Sequence, residues 1–111
     1  MKHSIFIGRF QPLHKGHIAL IRSVLDEGKP VLVLLRSTPL NADNPYSGLE
    51  REGMFQRAFP REYGDTLQVL ELGVDVGEVC YGRGVGYGIR EIRLDEQTEA
   101  VSATAIREGR A

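Results

Sequence analysis

The stretch VLVLLRS (Val31–Ser37) opens with five consecutive apolar residues and shows no polar alternation, which constrains the fold more than any other feature. Strands covered on both faces read this way, and they belong to parallel sheets. Upstream, HSIFIG (His3–Gly8) is a second short apolar run, closed by glycine. Between them, KGHIALIRSVLDEG carries Ile18, Ile21 and Leu25 on one stripe, with Leu20 and Val24 beside it. That is an amphipathic helix, stopped near Gly28 and Pro30. Strand, helix and strand within about 35 residues make a βαβ unit with a right-handed crossover.

The alternation continues. Beyond the polar loop STPLNADNP, Ser47 and Glu50 have the spacing of a capping box, so Ser47 is the expected N-cap of a second helix. Leu49, Phe55, Ala58 and Phe59 are its expected buried side, and Pro60 its end. TLQVLEL (Thr66–Leu72) reads as a third strand, EVCYG (Glu78–Gly82) as a fourth and IREIRL (Ile89–Leu94) as a short fifth. Glycine-dense turns at Gly73–Gly77 and Gly82–Gly88 separate them, and a last helix is expected from Ser102 as N-cap to Gly109. Residues 1–111 therefore read as a single small α/β domain, a doubly wound parallel sheet of about five strands. Such sheets bind ligands outside the carboxyl ends of their strands. GRFQPLHKGH (Gly8–His17) leaves the carboxyl end of the first strand, and the loops after VLVLLRS and before SATAIREG are expected to reach the same crevice.

Composition removes several classes. The formal net charge of −1 argues against a chain held on nucleic acid by general electrostatics. No apolar run reaches the ~20 residues of a membrane span, and nothing reads as a signal peptide. The single cysteine, Cys80, forms no intrachain disulfide and fits a reducing, cytoplasmic setting. Eleven arginines stand against three lysines, and the planar guanidinium suits phosphate oxygens; codon bias from a GC-rich genome explains most of them equally well.

His14 and His17 stand at i and i+3 within GRFQPLHKGH. A catalytic zinc wants a third protein ligand, and neither His3, at the far end of the first strand, nor the isolated Cys80 supplies one. No G-x-S-x-G elbow is present to make a serine triad. A purely structural reading has His17 packing in the helix and His14 capping a turn. The surroundings favour a phosphate site instead. Gly8 and Gly16 permit close backbone approach, Pro12 fixes the turn, and a helix N-terminus with open amides and imidazole donors suits an anion. The segment is neither a Walker A loop nor a dinucleotide fingerprint.

GRFQPLHKGH resembles the G-x-F-x-P-x-H-x-G-H signature of the HIGH-type nucleotidyltransferases. Its GRFQP form is most similar to nicotinamide mononucleotide adenylyltransferases of the archaeal and bifunctional bacterial type. DNPYSGLERE (Asp43–Glu52) resembles their NPF-[ST]-x-x-ER stretch, and VSATAIREG (Val101–Gly109) their second phosphate signature. The resemblance implies a Rossmann-like fold and transfer of AMP from ATP to a phosphorylated small acceptor, with release of pyrophosphate and magnesium carried by the nucleotide. It implies that His14 and His17 contact the triphosphate, with Gly8, Arg9, Phe10 and Gly16 beside it. It further implies that Ser102 and Thr104 offer hydroxyls and amides, and that Arg107 binds the β- or γ-phosphate. Arg51 and Asn44 are implied to face the acceptor or complete the phosphate site.

The chain departs from that family in a compressed stretch after the third strand and in having no tryptophan. Reaction class therefore carries over better than substrate. Cytidylyl transfer, another acceptor, or a catalytically reduced nucleotide-binding module remain alternatives. The missing C-terminal helices leave room for a homo-oligomer that covers an exposed sheet face.

Overall fold

The computed structural model describes residues 2–93. Its elements are β1 (Ser4–Gly8), α1 (Lys15–Leu25), β2 (Val31–Leu35), α2 (Gly48–Ala58) and β3 (Leu67–Glu71). The strands form one parallel sheet in the order β1-β2-β3, with Phe6 beside Val33 and Val33 beside Val69. Both βαβ crossovers advance in the same direction, so right-handedness sets both helices on one face of the sheet. The core lies there: Ile21 and Val24 of α1 and Phe55 and Phe59 of α2 pack on Val31, Val33, Leu35 and Leu67.

Local chemistry explains the element ends. Ser47 caps α2 as its spacing predicts, its side chain accepting the Glu50 N–H at 3.1 Å while the Glu50 carboxylate accepts the Ser47 N–H at 3.2 Å. After α1 the chain reverses through Gly28, which holds φ at +79°, a left-handed conformation that favours glycine. Phe59 closes α2 just before Pro60.

Three expectations are corrected. The doubly wound sheet of about five strands is, among the described residues, a three-stranded sheet with helices on one face. The segment Glu78–Gly82 and the described part of Ile89–Leu94 form no strand. Gly84 and Gly86 sit at φ +73° and +85°, turning the backbone out of the extended range, and Val79, Tyr81 and Ile89 are exposed rather than buried against a ladder. The continuous apolar run of β2 suggested cover on both faces. Leu32 and Leu34 on its outer face are half-buried, and their neighbours Ile5, Ile7 and Leu70 are exposed.

The third correction concerns Leu49, expected in the core and found 80% exposed. The stripe through Phe55 and Phe59 reaches back at helical spacing to position 51, which is arginine, so Leu49 points elsewhere. The last predicted helix, Ser102 to Gly109, lies outside the described residues. Before that boundary Ile92 packs against the core, and Arg90 pairs with Glu27 just beyond α1. Among the described residues no helix is long and apolar enough to cross a membrane.

This packing predicts a sharp contrast within one helix. Phe55→Ala should destabilise the chain by about 3–5 kcal/mol in urea unfolding, whereas Leu49→Ala should stay within about 0.5 kcal/mol of wild type.

Candidate functional site

β1 ends at Gly8, and the turn that follows is built around a buried ring. Phe10 holds φ at +50°, a conformation that costs a bulky residue about 1–3 kcal/mol. Its ring stands edge-on to His17 with centroids 4.7 Å apart and to Phe55 at 5.1 Å. A Cβ on residue 8 would meet that ring at 3.1 Å, so glycine lets Phe10 fold back over the end of the strand. The ring therefore joins the core to one face of His17.

The two histidines then close α1. His14 is the N-cap, in extended backbone, and its Nδ1 accepts the N–H of Gly16 at 3.1 Å and that of His17 at 3.4 Å. His17 reciprocates: its Nδ1 accepts the His14 N–H at 3.2 Å. The rings stack with centroids 3.7 Å apart and planes 19° from parallel. The pair forms a capping box with imidazole in both roles. Because both Nδ1 atoms accept, a neutral ring carries its proton on Nε2, an assignment that follows from the network. Among the described residues neither Nε2 has a hydrogen-bond partner, and the one buried unpartnered side-chain oxygen or nitrogen is Thr38 Oγ1, so both Nε2 atoms reach the surface.

The amides of Gly16 and His17, expected to stay open for an anion, are thus taken by His14. What the turn presents is a pair of imidazole Nε2–H donors. Burial beside Phe10, and beside an apolar hollow of about 130 Å³ between β1 and α1, lowers the His17 pKa to about 4; the charge of His14 adds to the effect. Burial also lowers His14 from its ordinary value. Both rings are neutral near pH 7.

The second half of the site is a set of bonds from the turn to residues 36–51. Arg51 is 2% exposed, and its Nη1 donates to the carbonyls of Arg9 at 2.9 Å and Arg36 at 2.8 Å. Its Nε donates to the carbonyl of Ser47 at 3.2 Å. Gln11, 1% exposed, pairs with the backbone of Tyr46 as a peptide unit would, donating to its carbonyl and accepting its N–H, each at 2.9 Å. The Arg9 guanidinium donates to Asn44 Oδ1 at 3.1 Å.

The structure therefore brings Gly8, Arg9, Phe10, His14, Gly16, His17, Asn44 and Arg51 together around the carboxyl ends of β1 and β2. Arg51 and Asn44 are buried, with side chains engaged by the protein itself. Ser102, Thr104 and Arg107 lie outside the described residues. Gln11 was missed; a polar residue in a tight turn ahead of proline was its only signal.

In parallel α/β sheets ligands bind outside the carboxyl ends of the strands, which is where this turn lies. The chain belongs to the cytidylyltransferase-like family, whose profile matches residues 5–70. It is 38% identical over 82 residues to the nicotinamide-nucleotide adenylyltransferase of Pyrobaculum neutrophilum, covering 72% of this chain and 40% of that protein. It is 40% identical over 60 residues to the nicotinamide-nucleotide adenylyltransferase of Pyrococcus furiosus, covering 52% and 32%. The Thermoplasma acidophilum protein of the same name is 33% identical over 63 residues, covering 55% and 35%. The matches thus span between a third and two-fifths of these relatives. No solved structure matches the chain.

The capping box makes α1 sensitive to acid. A depressed histidine pKa means that the unfolded chain takes up a proton that the folded chain refuses. The contribution is complete above about pH 6.5 and declines as pH falls towards 4. Imidazole NMR should report Nε2–H tautomers and a His17 midpoint near 4; a midpoint at 6.5 or above contradicts the capping geometry.

Proposed function

We propose that the chain is a nucleotidyltransferase that binds the phosphates of ATP across the His14–His17 turn and transfers AMP to a phosphorylated small acceptor. The observation that carries this reading is the capping box, which leaves two neutral Nε2–H donors on the same β1–α1 turn as Arg9, a guanidinium with no carboxylate partner among the described residues. The adenylyltransferase names of the archaeal relatives support the choice of nucleotide, and their nicotinamide mononucleotide-type acceptor is the first candidate here.

In this reaction an acceptor phosphate oxygen forms a bond to the α-phosphorus as the bond from that phosphorus to the bridging oxygen breaks, and pyrophosphate leaves with the electron pair. No proton need move and no covalent enzyme intermediate forms, so the chain's work is alignment and charge stabilisation. His17, fixed between Phe10 and His14, donates to a non-bridging oxygen as charge grows there. His14 donates to a neighbouring phosphate, and Arg9 supplies the positive charge. Gly8 and Gly16 keep the turn free of side-chain bulk, while Arg51 and Gln11 fix its backbone. Ser102, Thr104 and Arg107 would complete the triphosphate site from the other side. Magnesium would enter with the nucleotide substrate and supply charge neutralisation at its phosphates.

The alternative reading is a nucleotide-binding module with reduced catalysis. A pyrophosphate-release assay with ATP over a panel of phosphorylated acceptors separates the two. Turnover that falls by about 10²–10³ in His17→Ala supports the enzyme. ATP binding by calorimetry with no turnover on any acceptor supports the module.

A further inference from the structure

The two arginines that follow β1 and β2 are treated differently. Arg36 is neutralised, its Nε donating to the Asp75 carboxylate at 2.7 Å. Arg9 instead donates to the side-chain carbonyl of Asn44 at 3.1 Å, and among the described residues no carboxylate lies within ion-pair distance of it. The nearby Asp75 feels the charge of Arg9, but its hydrogen bonds go to Arg36 and to the Val76 N–H.

The Asn44 carboxamide is itself held in one orientation. Its Nδ2 donates to Asn41 Oδ1 at 3.2 Å, which leaves its own oxygen as the group facing Arg9. Asn41 Oδ1 also accepts the backbone N–H groups of Asp43 at 2.9 Å and Asn44 at 2.8 Å. The backbones of Asn41 and Asn44 exchange two further hydrogen bonds, both at 3.2 Å. Asn44 is buried, so this loop is a preformed support. An amide oxygen aims a guanidinium without cancelling its charge. A carboxylate in the same place would hold it more tightly and compete with any incoming anion.

We propose that Asn44 is a positioning residue, acting through Arg9, that aims the guanidinium at the ligand's phosphates while leaving its charge unneutralised. This rests on the phosphate-binding reading above and adds to it: the acceptor-side loop sets the charge of the donor-side turn.

The test is calorimetric binding of inorganic tripolyphosphate and of ATP to the full chain, with circular dichroism melting to check folding. The variants are Asn44→Asp, Asn44→Ala and Arg9→Ala, together with the two Asn44 variants in the Arg9→Ala background. Both Asn44 variants lose the side-chain bond to Asn41 Oδ1; Asn44→Asp keeps an acceptor for Arg9 and adds a charge, whereas Asn44→Ala removes the acceptor. Asn44→Asp should weaken tripolyphosphate binding about tenfold, and Asn44→Ala about fivefold. In the Arg9→Ala background each Asn44 change should matter less than about twofold. The Asn44→Asp penalty should also shrink as salt rises from about 0.05 to 0.5 M.

Equal weakening with and without Arg9 overturns the proposal, because Asn44 would then act on the ligand directly. Asn44→Asp binding as tightly as wild type overturns it as well. Wild-type protein that binds neither tripolyphosphate nor ATP is a different failure, since it removes the phosphate-binding reading itself and this inference with it. Should Asn44→Asp fail to fold, the Asn44→Ala comparison with and without Arg9 still decides between direct and indirect action.

Discussion

One buried guanidinium holds the working end of this molecule together. Arg51 donates to the carbonyls of Arg9, Arg36 and Ser47, the residues that follow β1, follow β2 and cap α2. Strand ends leave carbonyls without ladder partners, and hydrogen bonds from a charged donor contribute about 1.5–3 kcal/mol each. Burial pulls the Arg51 pKa down from its ordinary value, and the charge of Glu71 acts in the opposite sense. A side chain at position 48 would collide with the Glu71 carboxylate, so Gly48 is what lets that counter-charge approach. Removing Arg51 would release three segments at once, which makes it the support of the site rather than a surface group.

The choice of histidine at the start of α1 follows from what the turn must present. Serine, aspartate or asparagine is the usual N-cap, and each satisfies the first amides with an oxygen. Aspartate would also bring negative charge to the spot where the proposed site takes a phosphate. An imidazole accepts with Nδ1 and donates with Nε2, so His14 caps the helix and still offers a donor outward. His17 repeats the arrangement one turn on, using its Nδ1 to cap His14. The reading of His14 as a structural cap therefore holds, and the expectation of open amides does not, because His14 accepts them. The cost is the stacked, partly buried pair, which stays neutral only while solvent is not acid.

What the sequence disclosed and what it withheld divide by range. The strands, α1 and the Ser47 cap follow from patterns within a few residues of one another, and all were legible. The bonds that make the site join residues 35 and 42 apart: Gln11 to Tyr46, Arg9 to Asn44, Arg51 to Arg9. Nothing local marks a glutamine as a peptide mimic or an arginine as a buried staple; in a helix pattern Arg51 reads as polar surface. Leu49 was misplaced for the same reason: it is apolar, and nothing local shows that Arg51 holds the inward position. The fourth and fifth strands failed for a related reason. Short apolar runs look like strands wherever they fall, but a strand needs a neighbour, and here Val79, Tyr81 and Ile89 stay exposed.

The one-sided sheet bears on where chemistry can occur. In a doubly wound sheet the ligand crevice opens where strand order reverses. Among the described residues the order runs β1-β2-β3 without reversal, so topology alone opens no crevice between strands. The site exists here because side chains build it: Phe10 doubles back over Gly8, Gln11 and Arg51 tie the turn to the α2 cap, and Asn44 meets Arg9 across the gap. Residues 44–51 are therefore hydrogen-bonded to the turn at Arg9 and Gln11, and a change in that loop reaches the turn through those bonds rather than through the sheet. The same short segment fixes the backbone of the turn through Arg51 and Gln11 and the guanidinium of Arg9 through Asn44.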